Sequence, residues 1–352
     1  MMHAIETKIL TGDRIYWEEA LWLYERADLH ELGALAHAVR LRKHPEPVVT
    51  YVADRNINYS NICTCGCRFC AFFKAPDKDG GYVLTHEELA QKIEETIALG
   101  GTQILMQGGH HPDLPFSFYE DMLRFIKANW PIHIHAFSPP EIAYFAELFS
   151  MSHAQVIQKL RAAGLDSIPG GGAEILVNEV RTQVSPNKCS ADTWLDIMEE
   201  AHNQGLRTTA TMMFGHEEEP RHRLEHLFRL REVQDRSGGF TAFIPWTLQP
   251  GNTNIDVRPQ TAPEYLRLLA LSRLVLDNFD NLQVSWVTMG PKVAQLALFF
   301  GGNDFGSLMI EENVVKAAGV AFQLTREEIH SLVEAAGFTP MQRTMDYRPV
   351  AD

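Results

Sequence analysis

The period of the hydrophobic positions changes near residue 47. Before it, apolar residues at 17–24 and 29–39 recur at the spacing of a helix with one buried face. Pro45 and Pro47 end that pattern, since proline lacks the backbone N–H that a helix interior uses. Residues 1–46 therefore predict an N-terminal helical extension. From Val48 onward, short β-rich runs bounded by turn residues alternate with amphipathic stretches. The predicted strands are 48–56, 102–106, 132–137, 167–169, 207–213, 241–245, 283–287 and 306–308. The predicted helices are 85–99, 116–129, 153–163, 191–204, 220–235, 262–277 and 291–299. Thr85 with Glu88 three residues later forms a capping box, in which two side chains satisfy backbone donors at a helix start. Ser190 is a second start signal.

Strand–helix alternation on this scale implies parallel strands covered by helices. Eight units over about 260 residues match an α/β fold of the (β/α)8 TIM-type barrel kind. An open, doubly wound sheet is the alternative. The barrel then spans 47–310, and residues 311–352, with a helix at 326–336, form a C-terminal cap packed on it. A barrel carries its functional groups at the C-terminal ends of strands and in the loops after them.

Composition works mainly by exclusion. The 352 residues, 45% hydrophobic and 22% charged, suit one large globular domain with additions. A formal net charge of −14 argues against nucleic acid or an anionic membrane as partner. The N-terminus has no basic leader, and no apolar run is long enough to span a bilayer, so no membrane insertion is expected. Clustered thiols in an acidic chain fit a reducing compartment, here the cytoplasm.

Those thiols carry the chemistry. Cys63, Cys67 and Cys70 have the spacing C-x3-C-x2-C in the loop after the first barrel strand. Three thiolates on a short loop can hold three irons of a 4Fe–4S cube, leaving the fourth iron open. Cys65 falls between the ligands and reads as a spare thiol, although a register that uses it stays open. A zinc-stabilised binding module is the non-enzyme alternative. Structural zinc needs four ligands, and the only cysteine outside the loop is the distant Cys189.

The cysteine spacing resembles the signature of the radical S-adenosylmethionine (SAM) superfamily. The resemblance implies SAM on the open iron and its reductive cleavage by the cluster. Other strand ends then acquire roles. Gly108 and Gly109 leave room for a ligand at the backbone, and the resemblance assigns them the amino group of SAM. A tight turn is the plainer alternative. His110, with His111 beside it, is a candidate substrate contact or proton acceptor. Alternation puts His133 and His135 on one strand face, which makes His135 a substrate-binding candidate if that face is the interior. Ser138 can bond the SAM ribose, whereas Glu141 is more simply a helix cap. Glu174, after three glycines, can bind a hydroxyl or accept a proton, and Arg181 can hold a carboxylate; a plain Glu174–Arg181 ion pair is the alternative. Trp286, Thr288 and Asp304 are substrate candidates at later strand ends, with Thr209, Thr211, Trp246 and Gln249 weaker ones.

Longer runs narrow the likeness. Residues 54–63, Gln107 to Leu114 (with His-His-Pro-Asp), 133–141 (with Phe-Ser-Pro-Pro-Glu), 168–174, 208–216 and 243–246 resemble the cyclic dehypoxanthine futalosine synthase family. The likeness runs from about residue 15 to 347. Its relatives include aminofutalosine synthase and the deazaflavin-chromophore synthases, which share the cluster loop. The family resemblance implies a place in the futalosine route to menaquinone. A 5'-deoxyadenosyl radical takes the ribose C4' hydrogen of dehypoxanthine futalosine, and the carbon radical attacks the benzoate ring. It further implies that Phe69 places the adenine through its backbone, that Glu174 and Arg181 contact SAM, that His110 or Glu174 accepts the ring proton, and that a flavodoxin- or ferredoxin-like protein donates the electron.

Overall fold

The computed structural model describes residues 2–320 and 322–350. Among these residues ten strands are present: β1 (Val48–Val52), β2 (Asp54–Asn58), β3 (Gln103–Gln107), β4 (His133–Ala136), β5 (Ser167–Ile168), β6 (Arg207–Phe214), β7 (Phe240–Thr247), β8 (Asn281–Leu282), β9 (Asp304–Ser307) and β10 (Thr339–Gln342). Strands β2 to β8 form one seven-stranded sheet in sequence order, with every neighbour parallel. Strand β9 closes the ring. It bridges β8 through Gln283 and Asp304, pairs with β1, and continues through backbone bonds from Leu308 to Val52 and from Ile310 to Asp54. The α/β barrel expected from the alternation is the fold observed.

The predicted first strand is two strands, β1 and β2, which part at Ala53. Strand β1 pairs on one side with β9 and on the other with β10, so the C-terminal residues contribute a strand. The predicted strand 283–287 is corrected. Ladder bonds persist only to Val284; the Ser285 N–H is then taken by the Tyr265 hydroxyl at 2.7 Å, and Trp286–Met289 turns into a short helix. Besides Trp286–Met289, four helices escaped prediction: Met2–Thr11, Pro139–Leu148, Asn178–Val184 and Val314–Ala317. In the second of these, Pro139 and Pro140 occupy the first turn, where a missing N–H costs nothing.

The N-terminal helices Trp17–Arg26 and Leu29–Lys43 pack over the barrel helix Ala262–Val275. That explains why Leu266, Leu268, Leu269, Leu271 and Leu274 are all buried, although they do not share one helix face. Along β3 the alternation is strict. Gln103, Leu105 and Gln107 face a central cavity of about 280 Å³, while Ile104 and Met106 pack in the buried shell. Among the described residues no helix is long and apolar enough to cross a membrane.

Candidate active site

The cysteine loop leaves the C-terminal end of β2 and is pinned from several sides. Cys63 N–H donates to Lys74 O, Thr64 N–H to His110 O, and Arg68 N–H to Val184 O. Asn187 donates its amide to Cys65 O at 3.1 Å. Cys63 Sγ accepts the backbone N–H groups of Cys65 and His110 at 3.4 and 3.3 Å. All four loop cysteines are free thiols. A hydrogen bond from the Cys65 thiol, helped by those N–H groups, brings the Cys63 thiol down to about 6. Cys67 is lowered too, first by Cys65 and, against burial, by the charge of Lys188. Cys65 is pushed up, because its proton is shared with Cys63 and Cys67. Burial pushes Cys70 up. Cys65 Sγ also lies 3.6 Å from His110 Nδ1 and 3.5 Å from Asn187 O.

This donor set fits an iron–sulfur cube. Soft sulfur ligands, two of them biased toward thiolate, line one short loop. In a cube each cysteine meets a different iron. A single zinc ion needs its ligands converged within about 2.3 Å of one point, and no such group of three exists among the described residues.

Gly108 and Gly109 are required for space rather than for a left-handed turn. A Cβ on Gly108 would lie 2.3 Å from the Tyr59 ring, and one on Gly109 would lie 2.1 Å from Ile62 O. The Gly108 N–H donates to Glu141 Oε1, which also accepts the Tyr59 hydroxyl at 2.6 Å. The Ser138 hydroxyl donates to Glu141 Oε2, and the pair forms a capping box. Glu141 is thus a cap that also fixes the glycine segment. Ser138, proposed for the SAM ribose, has its own proton committed to it.

Glu174 sits in the left-handed region at φ 41° and is buried. Its carboxylate accepts Lys188 Nζ at 2.8 Å and Arg181 Nη1 at 3.3 Å. Burial alone would raise the Glu174 carboxyl, but the charges of Lys188 and Arg181 outweigh it and hold it low. Arg181 further donates to the carbonyls of Gly172, Ala173 and Cys189, so the ion pair considered above is present and this guanidinium is engaged throughout. Lys188 escaped the sequence analysis. It also lies 5.0 Å over the Phe69 ring, between the cysteine loop and Glu174. No spacing rule marks a lone lysine beside Cys189.

His110 stacks on Tyr144 at 4.6 Å, and burial drives its imidazole down to about 3, so it is neutral. His135, Trp246, Trp286 and Thr288 line the central cavity. His135 Nδ1 is 2.7 Å from Ser167 Oγ, and burial keeps its ring neutral. Thr209 and Thr211 also line it, but both hydroxyls are bonded to the Gly170 backbone. Asp304 is a correction. It is wholly buried at the opposite end of the barrel, bonded to Thr50 at 2.5 Å and to Arg343, and does not line the cavity.

Comparison with known proteins bears on the family and the fold. Residues 57–230 match the radical SAM superfamily, and residues 237–352 match the CofH/MqnC C-terminal region. A cyclic dehypoxanthine futalosine synthase of Halalkalibacterium halodurans is 48% identical over 342 residues, covering 97% of this chain and 92% of the relative. One of Streptomyces coelicolor is 45% identical over 351 residues, covering 98% and 88%. The crystal structure of methylornithine synthase superimposes with a TM-score of 0.74 over 95% of this chain and 96% of its own, at 18% identity, which bears on the fold alone.

Proposed function

The chain belongs to the radical SAM superfamily, and from that premise we propose that it cyclises dehypoxanthine futalosine in the futalosine route to menaquinone. The observation that carries this is the 48% identity to a cyclising relative over nearly the whole of both chains. Cys63, Cys67 and Cys70 are the residues that hold a 4Fe–4S cluster. A cluster bound there would supply the one-electron chemistry for cleaving SAM.

The chain's own residues position and protect the reactants. Gly108 and Gly109 bring backbone within reach of SAM, with Glu141 holding that segment still. Phe69 is the adenine-placing position. Glu174 and Arg181 brace the other side of the site, with Lys188 between Glu174 and the loop. Of the two expected acceptors for the ring proton, Glu174 is tied into two ion pairs. We therefore assign the acceptor role to His110, which directly follows the Gly108–Gly109 segment and whose backbone N–H lies 3.3 Å from Cys63 Sγ. The His110→Gln variant is expected to lose about 10²–10⁴-fold in kcat, a range set by general base catalysis. Unchanged kcat would remove His110 from that role. His135, Trp286 and Thr288 form the substrate wall. Holding substrate and radical source in register can contribute on the order of 7–11 kcal/mol to the rate. A small flavodoxin- or ferredoxin-like protein is the proposed electron donor.

The test is anaerobic reconstitution, reduction, and incubation with SAM and dehypoxanthine futalosine, followed by mass spectrometry of the nucleosides. The expected products are the cyclised compound and free 5'-deoxyadenosine. An adenosyl adduct formed instead from an enolpyruvyl benzoate would assign the chain to the aminofutalosine synthase reaction.

A further inference from the structure

The lower half of the cavity holds polar groups that no protein atom satisfies. Asn56 and Gln103 are both more than nine-tenths buried and both line the cavity. Asn56 Oδ1 and Gln103 Oε1 have no hydrogen-bond partner. A buried acceptor left unmade costs free energy, so such groups in a cavity wall point to a ligand that brings donors. Gln103 is oriented by its own Nε2, which donates to Asp54 Oδ2 at 2.7 Å. His135 lies in the same layer as Asn56, since both pair in register with Leu105. Its Nδ1 is engaged by Ser167, which leaves Nε2 for a ligand.

The charges below this wall decide which end of a ligand it suits. Among the described residues Arg343 is the only Lys or Arg lining the cavity, and its guanidinium is bonded to Asp304 and to Thr344 O. Asp54, also in the wall, accepts the Ser307 hydroxyl and the Gln103 amide. A carboxylate placed here would meet the unpartnered oxygens of Asn56 and Gln103 and, beneath them, the carboxyl of Asp54. A hydroxyl can donate to each acceptor and still accept from imidazole.

We propose that Asn56, Gln103 and His135 bind the ribose hydroxyls of the substrate, placing its sugar on the Asn56 side of the cavity and its benzoate toward Trp246 and Trp286. This placement rests on the function proposed above and adds the orientation of the substrate to it.

The test is equilibrium binding to the reconstituted holoenzyme with its cluster kept oxidised, so that nothing turns over. The ligands are dehypoxanthine futalosine and analogues in which one ribose hydroxyl is replaced by hydrogen. The wild-type enzyme is expected to bind at least one analogue roughly tenfold more weakly than the parent. Asn56→Leu is expected to bind parent and that analogue alike, with unchanged affinity for SAM and a Tm no lower than wild type, because the lost acceptor had no partner. Asn56→Ala serves the same comparison if leucine does not fit. Discrimination retained in both variants would overturn the placement alone. No binding of dehypoxanthine futalosine by wild-type enzyme would overturn the proposed function, and the placement with it.

Discussion

At the mouth of the barrel, buried polar groups converge on a loop that is incomplete without a ligand; at the base, they converge on one another. The mouth collects Cys63, Cys67, Lys188 and Glu174, with the Lys188 charge facing both Cys67 and Glu174. The base collects Asp54, Asp304, Arg343, Thr50 and Ser307, each bonded within the set. The first arrangement suits chemistry and the second suits closure of the barrel. Asp54 and Ser307 lie 253 residues apart in sequence, and their contact joins β2 to β9. Burial alone therefore does not mark a site. Buried groups that lack partners in a cavity wall, or that bias a metal ligand toward its charged form, do.

Variants at the two ends should fail in different ways. The largest effect is expected from replacing Cys63, Cys67 and Cys70 together by alanine. Turnover should vanish while the urea midpoint of the metal-free chain stays near that of metal-free wild type. A large fall in that midpoint would mean that the loop is structural. Next, Arg343→Met should cost about 3–5 kcal/mol of stability, because it leaves Asp304 buried without its cation. Denaturant unfolding measures this, and a loss below 1 kcal/mol would show that the base does not close the barrel (about the worth of an exposed pair).

Acid offers an intermediate test that belongs to neither end. Burial lowers His226 to about 3 and His202 to about 4, against 6.5 in the unfolded chain. The unfolded state then takes up protons first. Stability should be full above pH 6.5 and should fall between pH 6.5 and these lowered values, by about 1.4 kcal/mol per pH unit for each histidine. Urea midpoints at pH 7, 6 and 5 check the sign, and His226→Leu should flatten the slope. The smallest effect is expected from Thr85→Ala, which removes a capping box outside the cavity lining, at about 1 kcal/mol.

The same contrast explains what the sequence revealed. The cysteine spacing, the Thr85 capping box and the helices Phe116–Asn129 and His153–Ala163 are local patterns, and all were legible. The helix Pro139–Leu148 was not, because two prolines look like a break unless they are known to occupy its first turn. Strand 283–287 was misjudged because the Tyr265 hydroxyl diverts the chain at Ser285, a contact 20 residues away in sequence. Lys188 and the Asn56–Gln103 wall were invisible for a related reason. Their meaning depends on neighbours that only barrel closure supplies. Asp304 was assigned to the wrong end, since a strand-end residue read in isolation does not disclose Arg343 as its partner.

The most direct measurement is iron and electron paramagnetic resonance, after anaerobic reconstitution, on wild type, Cys65→Ser and the triple alanine variant. The account predicts about four irons per chain in the first two, with a signal of the reduced cluster that changes on adding SAM, and almost no iron in the third. A full cluster in the triple variant, or loss of the cluster in Cys65→Ser, would contradict it.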